Sequence, residues 1–469
     1  MPATFSAAEV MAATRGFLVQ GRQGAVFVGV STDSRTCQAG ELFVPLRGER
    51  HDGHDHLPQA LIRGVRGVIV EDRVWQRRDF RAALPPEVTA VAVGDTLQAL
   101  GDLARSWRRR FTIPLVSITG SCGKTTAKEM TALVLSRFFR TLKNELNLNN
   151  LIGLPQTLLQ LDGTYQAAVL EMGMNRFGEI RRLTQISQPT VGVLLNVYPA
   201  HTEGVGCVEG VARAKGELIQ ALSPQATLVY NADDPRVACQ AAGFRGRRLG
   251  FGFGSGADLR ALDRQSRGVH GQVIQVSWQG KSWPLTLQVP GEHQAMNALA
   301  AAAVTLALGL PLVEATAALA AFTAIQRRSQ VQDLPSGVHL LNDCYNANPG
   351  SMATALCTLT ELKGTARAAA ALGDMLELGA GAVAAHRELG RQAARSGLDF
   401  LVVYGNHRDE VAAGAQESGL SAPRLHPVAT KEEAAQLLKD FLKPGDWLLV
   451  KGSRSMRMET IIELLQKGG

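Results

Sequence analysis

Short apolar runs alternate with amphipathic stretches along most of the chain, and this pattern predicts an α/β protein. The clearest runs occupy residues 115–119, 167–170 and 191–196. Runs that stay apolar at consecutive positions are typical of strands buried on both faces, as in a parallel sheet flanked by helices. We therefore expect a parallel sheet in the middle of the chain, with a helix at residues 125–139 directly after the first run.

The pattern changes twice. Before a charged, proline-containing stretch at residues 71–87 the α/β units are short, and after Arg328 a second α/β series begins. In that series the expected strands lie near residues 339–341, 368–372, 400–403 and 447–450. The polar strands that follow residue 256 indicate a β-rich insertion before the alanine-rich helices. We predict three domains: a small α/β N-terminal domain at 1–93, a central P-loop-type parallel-sheet ATPase domain at 94–326, and a C-terminal Rossmann-like α/β domain at 327–469.

The amino-acid composition of the chain further narrows the class of protein. In a chain of 469 residues, 45% hydrophobic and 19% charged residues are typical of a globular protein rather than a disordered or fibrous one. The six cysteines form no C-x-x-C pair, and the first residues lack the basic and apolar segments of a signal peptide, so we expect a cytoplasmic protein with no membrane insertion. The formal charge of +7 is spread without interleaved aromatic residues. We therefore expect small anionic ligands, no nucleic acid and a monomer.

The strongest local signal is a glycine-rich turn between the predicted strand 115–119 and the helix after it. It reads Ile-Thr-Gly-Ser-Cys-Gly-Lys-Thr-Thr at residues 118–126, and it lacks the first glycine of the full nucleotide-binding motif because Ile118 stands there. Backbone N–H groups in such a turn can surround phosphate oxygens, while Lys124 adds charge and the Thr125 hydroxyl can ligate Mg²⁺. The predicted nucleotide-binding residues are Gly120, Ser121, Cys122, Gly123, Lys124, Thr125 and Thr126.

Two further side chains follow predicted parallel strands. Glu171 comes directly after the run 167–170, and His201 comes shortly after the run 191–196. Each alone is compatible with an ordinary surface glutamate or loop histidine, but parallel strands end at the same edge of a sheet, where α/β proteins bind ligands. We therefore predict that Thr125, Glu171 and His201 meet around Mg²⁺. Lys215, on a predicted helix at 208–222, is by itself indicative only of a solvated lysine.

Two conspicuous segments are not interpreted as sites. The histidines within residues 51–56 are metal-like, but their glycine-flanked turns favour a polar surface loop. The glycines within residues 250–256 do not precede a helix, so we predict a flexible turn rather than a dinucleotide site.

Over nearly its whole length the chain resembles the Mur ligase family. The resemblance rests on segments in register along the sequence: Ser31-Thr-Asp-Ser-Arg35, Glu41-Leu-Phe-Val-Pro-Leu-Arg-Gly-Glu49, Thr119-Gly-Ser-Cys-Gly-Lys-Thr-Thr126, Asn147-Leu-Asn-Asn150, Glu171-Met-Gly173, Ala200-His-Thr-Glu-Gly204, Ala214-Lys-Gly-Glu217, Gly291-Glu-His293, Asn297-Ala-Leu-Ala-Ala301, Asp343-Cys-Tyr-Asn-Ala-Asn-Pro-Gly-Ser-Met352, Gly373-Asp-Met-Leu-Glu-Leu-Gly379 and Val450-Lys-Gly-Ser-Arg454. The segments at 343–352 and 373–379 resemble the family member that adds a dipeptide rather than a single amino acid.

The resemblance implies an ATP-dependent, Mg²⁺-dependent ligase that joins D-alanyl-D-alanine to UDP-N-acetylmuramoyl-tripeptide through an acyl phosphate. It implies catalytic roles for Lys124, Glu171, His201 and Lys215, with Lys215 carbamylated so that it becomes a metal ligand beside Thr125. The remaining residues implied are Asn297, Arg328, Asp343 and Tyr345 around adenine and ribose, Asp33, Ser34 and Arg35 at the uridine diphosphate end, and Asn346, Asn348 and Arg454 at the substrates.

At three places the chain departs from the family pattern: Arg176 replaces a usual histidine, Leu146 replaces a usual glycine, and Tyr198-Pro199 precede Ala200. Two alternatives stay open. One is a related ligase that adds a single amino acid to the muramoyl peptide or glutamate to folate. The other is a nucleotide-binding regulatory module that ligates nothing.

Overall fold

A computed structural model describes residues 2–49, 51–145 and 147–467. Its α/β architecture of three domains, each with its own main sheet, confirms the predicted fold class. Leu146, named above as a departure from the family pattern, lies outside the described residues. None of the helices in the described ranges combines the length and apolar character that crossing a bilayer requires.

The N-terminal part has a five-stranded sheet in the order β2-β7-β6-β5-β4 and a separate antiparallel pair β1-β3. Its elements are β1 (Thr4–Ser6), α1 (Ala7–Thr14), β2 (Phe17–Gln20), β3 (Val26–Val28), β4 (Val30–Ser31), β5 (Leu42–Phe43), α2 (Leu57–Ile62), β6 (Gly67–Glu71), α3 (Asp72–Trp75), α4 (Arg78–Ala83) and β7 (Thr89–Val93). The start of α1 is fixed by a capping box, in which the side chains of Ser6 and Glu9 accept each other's backbone N–H.

The central part has a nine-stranded sheet in the order β16-β15-β14-β13-β12-β11-β8-β10-β9. Its elements are α5 (Thr96–Arg108), β8 (Leu115–Thr119), α6 (Lys124–Leu135), β9 (Thr141–Lys143), α7 (Gly153–Leu158), β10 (Ala167–Glu171), α8 (Glu179–Ser187), β11 (Val191–Leu194), α9 (Thr202–Val205), α10 (Val208–Ala221), β12 (Thr227–Asn231), α11 (Pro235–Ala242), β13 (Arg247–Gly252), β14 (Leu259–Ser266), β15 (Gln272–Trp278), β16 (Lys281–Leu287), α12 (Glu292–Ala307) and α13 (Leu312–Leu319). Strands β8 to β14 pair in parallel, whereas β15 and β16 add an antiparallel edge, which confirms the predicted β-rich insertion.

The C-terminal part has a six-stranded sheet in the order β17-β18-β22-β19-β20-β21, parallel except for β17. Its elements are β17 (Gln330–Asp333), β18 (His339–Asp343), α14 (Pro349–Lys363), β19 (Ala368–Gly373), α15 (Ala382–Arg395), β20 (Phe400–Tyr404), α16 (Arg408–Glu417), β21 (Leu425–Val428), α17 (Lys431–Phe441), β22 (Trp447–Lys451) and α18 (Glu459–Gln466). All four strands expected in this part are present.

Helix α5 joins the first two parts. The Trp107 ring lies 5.5 Å from the ring of Phe5, and its indole N–H donates to the Leu161 carbonyl at 2.9 Å. Because α5 packs against both the N-terminal and the central part, no break in packing marks a boundary between them at residues 93 and 94. The predicted boundaries at 93/94 and 326/327 stay predictions.

Both segments that were set aside are more ordered than expected. His54 is 3% exposed, its Nδ1 lies 2.6 Å from Asp52 Oδ1, and its Nε2 accepts the N–H of Glu71, so it is a structural core histidine rather than part of a surface loop. Gly250 and Gly252 lie within β13 rather than in a flexible turn, and the Asp233 carboxylate holds the N–H groups that follow them.

Candidate active site

The carboxyl ends of the central parallel strands open into a crevice of about 1400 Å³, and the C-terminal domain forms its opposite wall. This is the edge at which open α/β sheets bind ligands. Lys124, Glu171 and His201 all line this crevice, as the order of the strands predicted.

The glycine-rich turn connects β8 to the N-terminus of α6. Gly123 has φ +80°, and a Cβ there would lie 2.3 Å from Oδ1 of Asn297, so both the backbone and the space require glycine. The Lys124 amine donates to the Gly120 carbonyl at 2.9 Å. Removal of water from around this amine lowers the pKa of Lys124, whereas the negative charge of the nearby Glu171 carboxylate acts to raise it. The positive end of α6 and the Lys124 side chain thus face the same crevice.

Hydrogen bonds to the side chain and backbone of Asn196 hold the turn in its conformation. No role for Asn196 was predicted from the sequence. Its side-chain oxygen accepts the Cys122 N–H at 2.8 Å, and its side-chain amide donates to the Cys122 carbonyl at 3.1 Å. Its backbone carbonyl accepts the Ser121 N–H at 3.0 Å. The amides of Ser121 and Cys122 are therefore occupied. Within the described residues nothing accepts a hydrogen bond from the amides of residues 123–126, which are left for a ligand.

Glu171 ends β10 as a buried carboxylate held from two sides. Thr125 Oγ1 donates to its Oε2 at 2.7 Å, and Asn149 Nδ2 donates to its Oε1 at 2.8 Å. Asn144 pairs with the Glu171 backbone through two hydrogen bonds of 2.9 and 3.0 Å. With the carboxylate only 3% exposed, its orientation is fixed toward Thr125.

Lys215 lies on α10 and is 1% exposed, so its interpretation as a solvated lysine was wrong. Burial lowers the pKa of Lys215 well below its usual value, and the positive charge of Lys124 lowers it further. Among the described residues no hydrogen bond or ion pair satisfies its amine. Burial of an unpaired lysine is unfavourable for its cation and therefore favours the neutral amine.

His201 lies at the junction with the C-terminal domain, in the left-handed conformation with φ +56°. Its Nδ1 lies 2.5 Å from Oε2 of Glu377, which belongs to the loop after β19. Next to it, the Thr202 hydroxyl donates to the Leu378 carbonyl at 2.9 Å. Glu377 lies within the segment 373–379 that carries the family resemblance, but no role for it was predicted.

Of the residues predicted around adenine and ribose, Arg328, Asp343 and Tyr345 lie on the far wall of the same crevice, whereas Asn297 lies on α12 beside Gly123 of the glycine-rich turn. The Arg328 guanidinium stacks 3.9 Å from the centre of the Tyr345 ring. The Asp343 carboxylate accepts the Ser329 N–H at 2.8 Å and lies 2.5 Å from the buried amine of Lys451, a residue that had been quoted without a role.

The three residues predicted to contact the substrates also belong to this wall. Asn348 caps α14 and accepts the Cys122 thiol at 3.2 Å, Asn346 is exposed and its carbonyl accepts from Lys451, and Arg454 pairs with Glu459 at 2.6 Å.

The predicted uridine-end residues lie on the N-terminal domain, outside the lining of this crevice. The side chain of the exposed Arg35 donates two hydrogen bonds to Asp33 and its backbone N–H donates a third, and together they lower the pKa of that carboxyl to about 2. Ser34 is buried and its hydroxyl donates to Gln59, so Asp33 and Arg35 are the accessible members of this group.

A glycine-rich turn before a helix N-terminus, at the edge of a parallel sheet and faced by a Rossmann-like domain, is typical of enzymes that bind nucleotides. Three family models match: the Mur ligase family catalytic domain at residues 26–108, the Mur ligase middle domain at 118–305 and the Mur ligase glutamate ligase domain at 327–454.

Relatives and solved structures agree with these matches. The UDP-N-acetylmuramoyl-tripeptide–D-alanyl-D-alanine ligase of Bacillus subtilis is 34% identical over 443 residues, covering 93% of each chain. A crystal structure of MurF from Acinetobacter baumannii has a TM-score of 0.89 and 31% identity, covering 100% of both chains. MurF ligase from Thermotoga maritima in complex with ADP has a TM-score of 0.81 and 27% identity, covering 93% of this chain and 97% of that one. The chain belongs to the Mur ligase family, and it is an ATP-dependent amino-acid ligase.

Proposed function

We propose that this enzyme joins D-alanyl-D-alanine to UDP-N-acetylmuramoyl-tripeptide, with ATP converted to ADP and phosphate, to form the UDP-muramoyl-pentapeptide precursor of peptidoglycan. The observation that carries the proposal is the match over 93% of both chains to a ligase of that name. The geometry of the crevice supports it, because a phosphate-binding turn and a buried carboxylate face residues of a second domain across one space.

The turn and the start of α6 are suited to the phosphates of ATP. The free amides of residues 123–126 point out of a helix N-terminus, where negative charge is stabilised. Lys124 lies beside them, and because its amine is partly removed from water, its charge acts more strongly on a phosphoryl group than it would in solution. The ligase bound to ADP from Thermotoga maritima supports the assignment of a nucleotide here.

The donor groups around Glu171 fit Mg²⁺. One buried carboxylate and one hydroxyl, from Glu171 and Thr125, are hard oxygen ligands within 2.7 Å of each other. Within the described ranges no three His, Cys, Asp or Glu side chains form a metal cluster. Mg²⁺ needs no such cluster, since it keeps waters and takes phosphate oxygens as ligands. When bound, it would supply positive charge to the terminal phosphates of ATP.

In the proposed reaction the terminal carboxylate of the tripeptide attacks the γ-phosphate, and the amine of the dipeptide then displaces phosphate from the acyl phosphate. Both steps bring anions together, so the role of the chain is to hold them in line and to offset their charge. Lys124 and the helix N-terminus do this from the central domain. Asn346, Asn348 and Arg454 are proposed to orient the substrates from the C-terminal side.

Lys215 is proposed to carry a carbamate. CO₂ combines only with a neutral amine, and the lowered pKa of Lys215 meets that requirement. The product is an anion beside Lys124, whose charge would then be offset. His201 is proposed to bind a second Mg²⁺, with Glu377 fixing the orientation of its ring.

Asn297, Arg328, Asp343 and Tyr345 are proposed to bind adenine and ribose. The stacked Arg328 and Tyr345 present a flat, cationic surface, and Asp343 is held rigid by Lys451. At the other end of the molecule, Asp33 and Arg35 are proposed to hold the uridine diphosphate group, while Ser34 supports their loop through Gln59.

A phosphate-release assay with UDP-N-acetylmuramoyl-tripeptide and a panel of amines tests the proposal. We expect D-alanyl-D-alanine to stimulate ADP formation and mass spectrometry to show the amide product. If a single amino acid stimulates ADP formation while D-alanyl-D-alanine gives no more than buffer, the substrate assignment is wrong. If ATP is hydrolysed but no amine yields an amide, the ligase assignment is wrong as well.

A further inference from the structure

One aromatic residue contacts the phosphate-binding turn through its backbone and the C-terminal domain through its ring. Tyr198 follows β11 and lies in the crevice. Its backbone N–H donates to the Ser121 hydroxyl at 2.9 Å, and that hydroxyl donates back to the Tyr198 carbonyl at 2.9 Å. The backbone of Tyr198 is thus locked to the turn.

Its ring packs on the first turn of α14. A Cβ built on Gly350 would lie 2.4 Å from Cγ of Tyr198 and 2.7 and 2.8 Å from the next two ring carbons. Real Cβ atoms do not approach so closely, so the ring occupies the space that any larger residue at 350 would need. Gly350 has no positive φ, so its backbone conformation does not require glycine. Glycine is required at this position because the Tyr198 ring approaches so closely.

The same turn of α14 touches the phosphate-binding turn a second time. Asn348, which caps α14, accepts the Cys122 thiol at 3.2 Å. Ser121 and Cys122 are adjacent, so the Tyr198 ring and the Asn348 cap connect neighbouring residues of the turn to one helix end. A shift of α14 away from the central domain would separate both contacts together.

We propose that Tyr198 is a positioning residue that couples nucleotide binding to docking of the C-terminal domain. The backbone of Tyr198 is hydrogen-bonded to the turn, so the conformation of the turn sets the position of Tyr198. The position of its ring in turn sets the contact with Gly350 of α14. Nucleotide that binds the turn in this conformation then favours the docked domain, and the docked domain in return raises the affinity for nucleotide, as reciprocal coupling requires. The hydroxyl of Tyr198 makes no hydrogen bond to a described residue, so the ring alone carries the effect.

The inference rests on the proposed use of ATP, and it is tested by calorimetric titration of the full chain with ADP and Mg²⁺. We expect Tyr198→Ala to weaken ADP binding at least about fivefold, the lower end of typical couplings between sites. Tyr198→Phe should retain the wild-type affinity because the ring remains. Phe177→Ala is a matched control, since Phe177 is an exposed aromatic residue of the central domain that stacks on Arg213 rather than on the C-terminal domain.

Gly350→Ala provides the decisive comparison. In the wild-type background the added methyl group meets the Tyr198 ring, and ADP binding should weaken by a similar factor. In the Tyr198→Ala background the methyl group fills space that the ring has left, so it should cost nothing further or partly restore the affinity. Melting temperatures check that each variant folds. Small-angle scattering with and without ADP checks whether its domains close.

The possible failures are distinguishable. If the wild-type chain does not bind ADP, both the proposed function and the coupling are overturned. If the wild-type chain binds ADP but Tyr198→Ala binds it equally well, or if Gly350→Ala weakens binding by the same factor in both backgrounds, only the coupling is overturned.

Discussion

Asn149 offers a direct test of the proposed magnesium site, because it supports Glu171 without being a ligand candidate itself. Its side-chain amide donates to Glu171 Oε1 at 2.8 Å, and the carboxylate is 3% exposed, so water cannot replace the bond without rearrangement. Loss of a hydrogen bond to a buried charged group costs about 1.5–3 kcal/mol. We therefore expect Asn149→Ala to raise the Mg²⁺ concentration for half-maximal activity by roughly 10- to 100-fold, as found for supporting residues of metal ligands.

The assay is phosphate release at saturating substrates over a range of Mg²⁺ concentrations. Asn150→Ala is the matched control: Asn150 is the neighbouring asparagine, and its side chain accepts the N–H groups of Ile152 and Gly153 at 3.0 and 2.9 Å rather than contacting Glu171. This control should lower the free energy of unfolding and leave the Mg²⁺ dependence unchanged. An unchanged Mg²⁺ requirement in Asn149→Ala, or an equal shift in both variants, would refute the reasoning.

Three further predictions concern titratable side chains. Lys124→Ala should abolish ADP formation while circular dichroism stays unchanged, because the amine faces the crevice rather than the core; near-normal turnover would contradict its role. Lys215→Ala should be inactive and partly restored by added short carboxylates, and activity of the plain variant without them would falsify the carbamate. Burial lowers the pKa of His293 to about 4 from an ordinary 6.5. As the pH falls, this histidine therefore binds a proton in the unfolded chain before it does so in the folded chain, and the free energy of unfolding should fall as pH drops from about 6.5 to 4. His293→Gln should reduce the loss between pH 7.5 and 4.5 in urea titrations by roughly 2–3 kcal/mol, and an identical loss in both proteins would contradict this.

Much of the fold could be predicted because buried parallel strands leave a strong pattern. The run 115–119 corresponds to β8 residue for residue, and the runs at 167–170 and 400–403 each fall one residue short of β10 and β20. The short strand β9 (Thr141–Lys143) was missed, because three residues at the edge of a sheet show too little alternation to stand out. The strand at 250–252 was missed for a different reason: it is stabilised by pairing with β12 and β14, which the local glycine-rich sequence does not indicate.

The candidate site was predictable where residues sit on strand ends or in a motif, and not where they act through long-range contacts. Thr125 and Glu171 were expected to meet because β8 and β10 are parallel, and they do meet in the structure. Asn196 and Glu377 could not be assigned roles beforehand, since their partners lie 74 residues away at Cys122 and in another domain at His201. The burial of Lys215 also depends on tertiary packing, which the sequence of one helix does not report.

The contacts between the central and C-terminal domains explain how a nucleotide can control their arrangement. Besides the Tyr198 ring, they include the contact of His201 with Glu377 and the ion pair of Arg264 with both oxygens of Glu361 at 2.8 Å. Glu377 is half exposed, and charged contacts that water can reach contribute about 0.2–1 kcal/mol each. We expect contacts of this size to leave the docked state only slightly favoured over an open one. A ligand that binds both walls of the crevice therefore needs only a modest difference in affinity between the two states to shift the population toward the docked one.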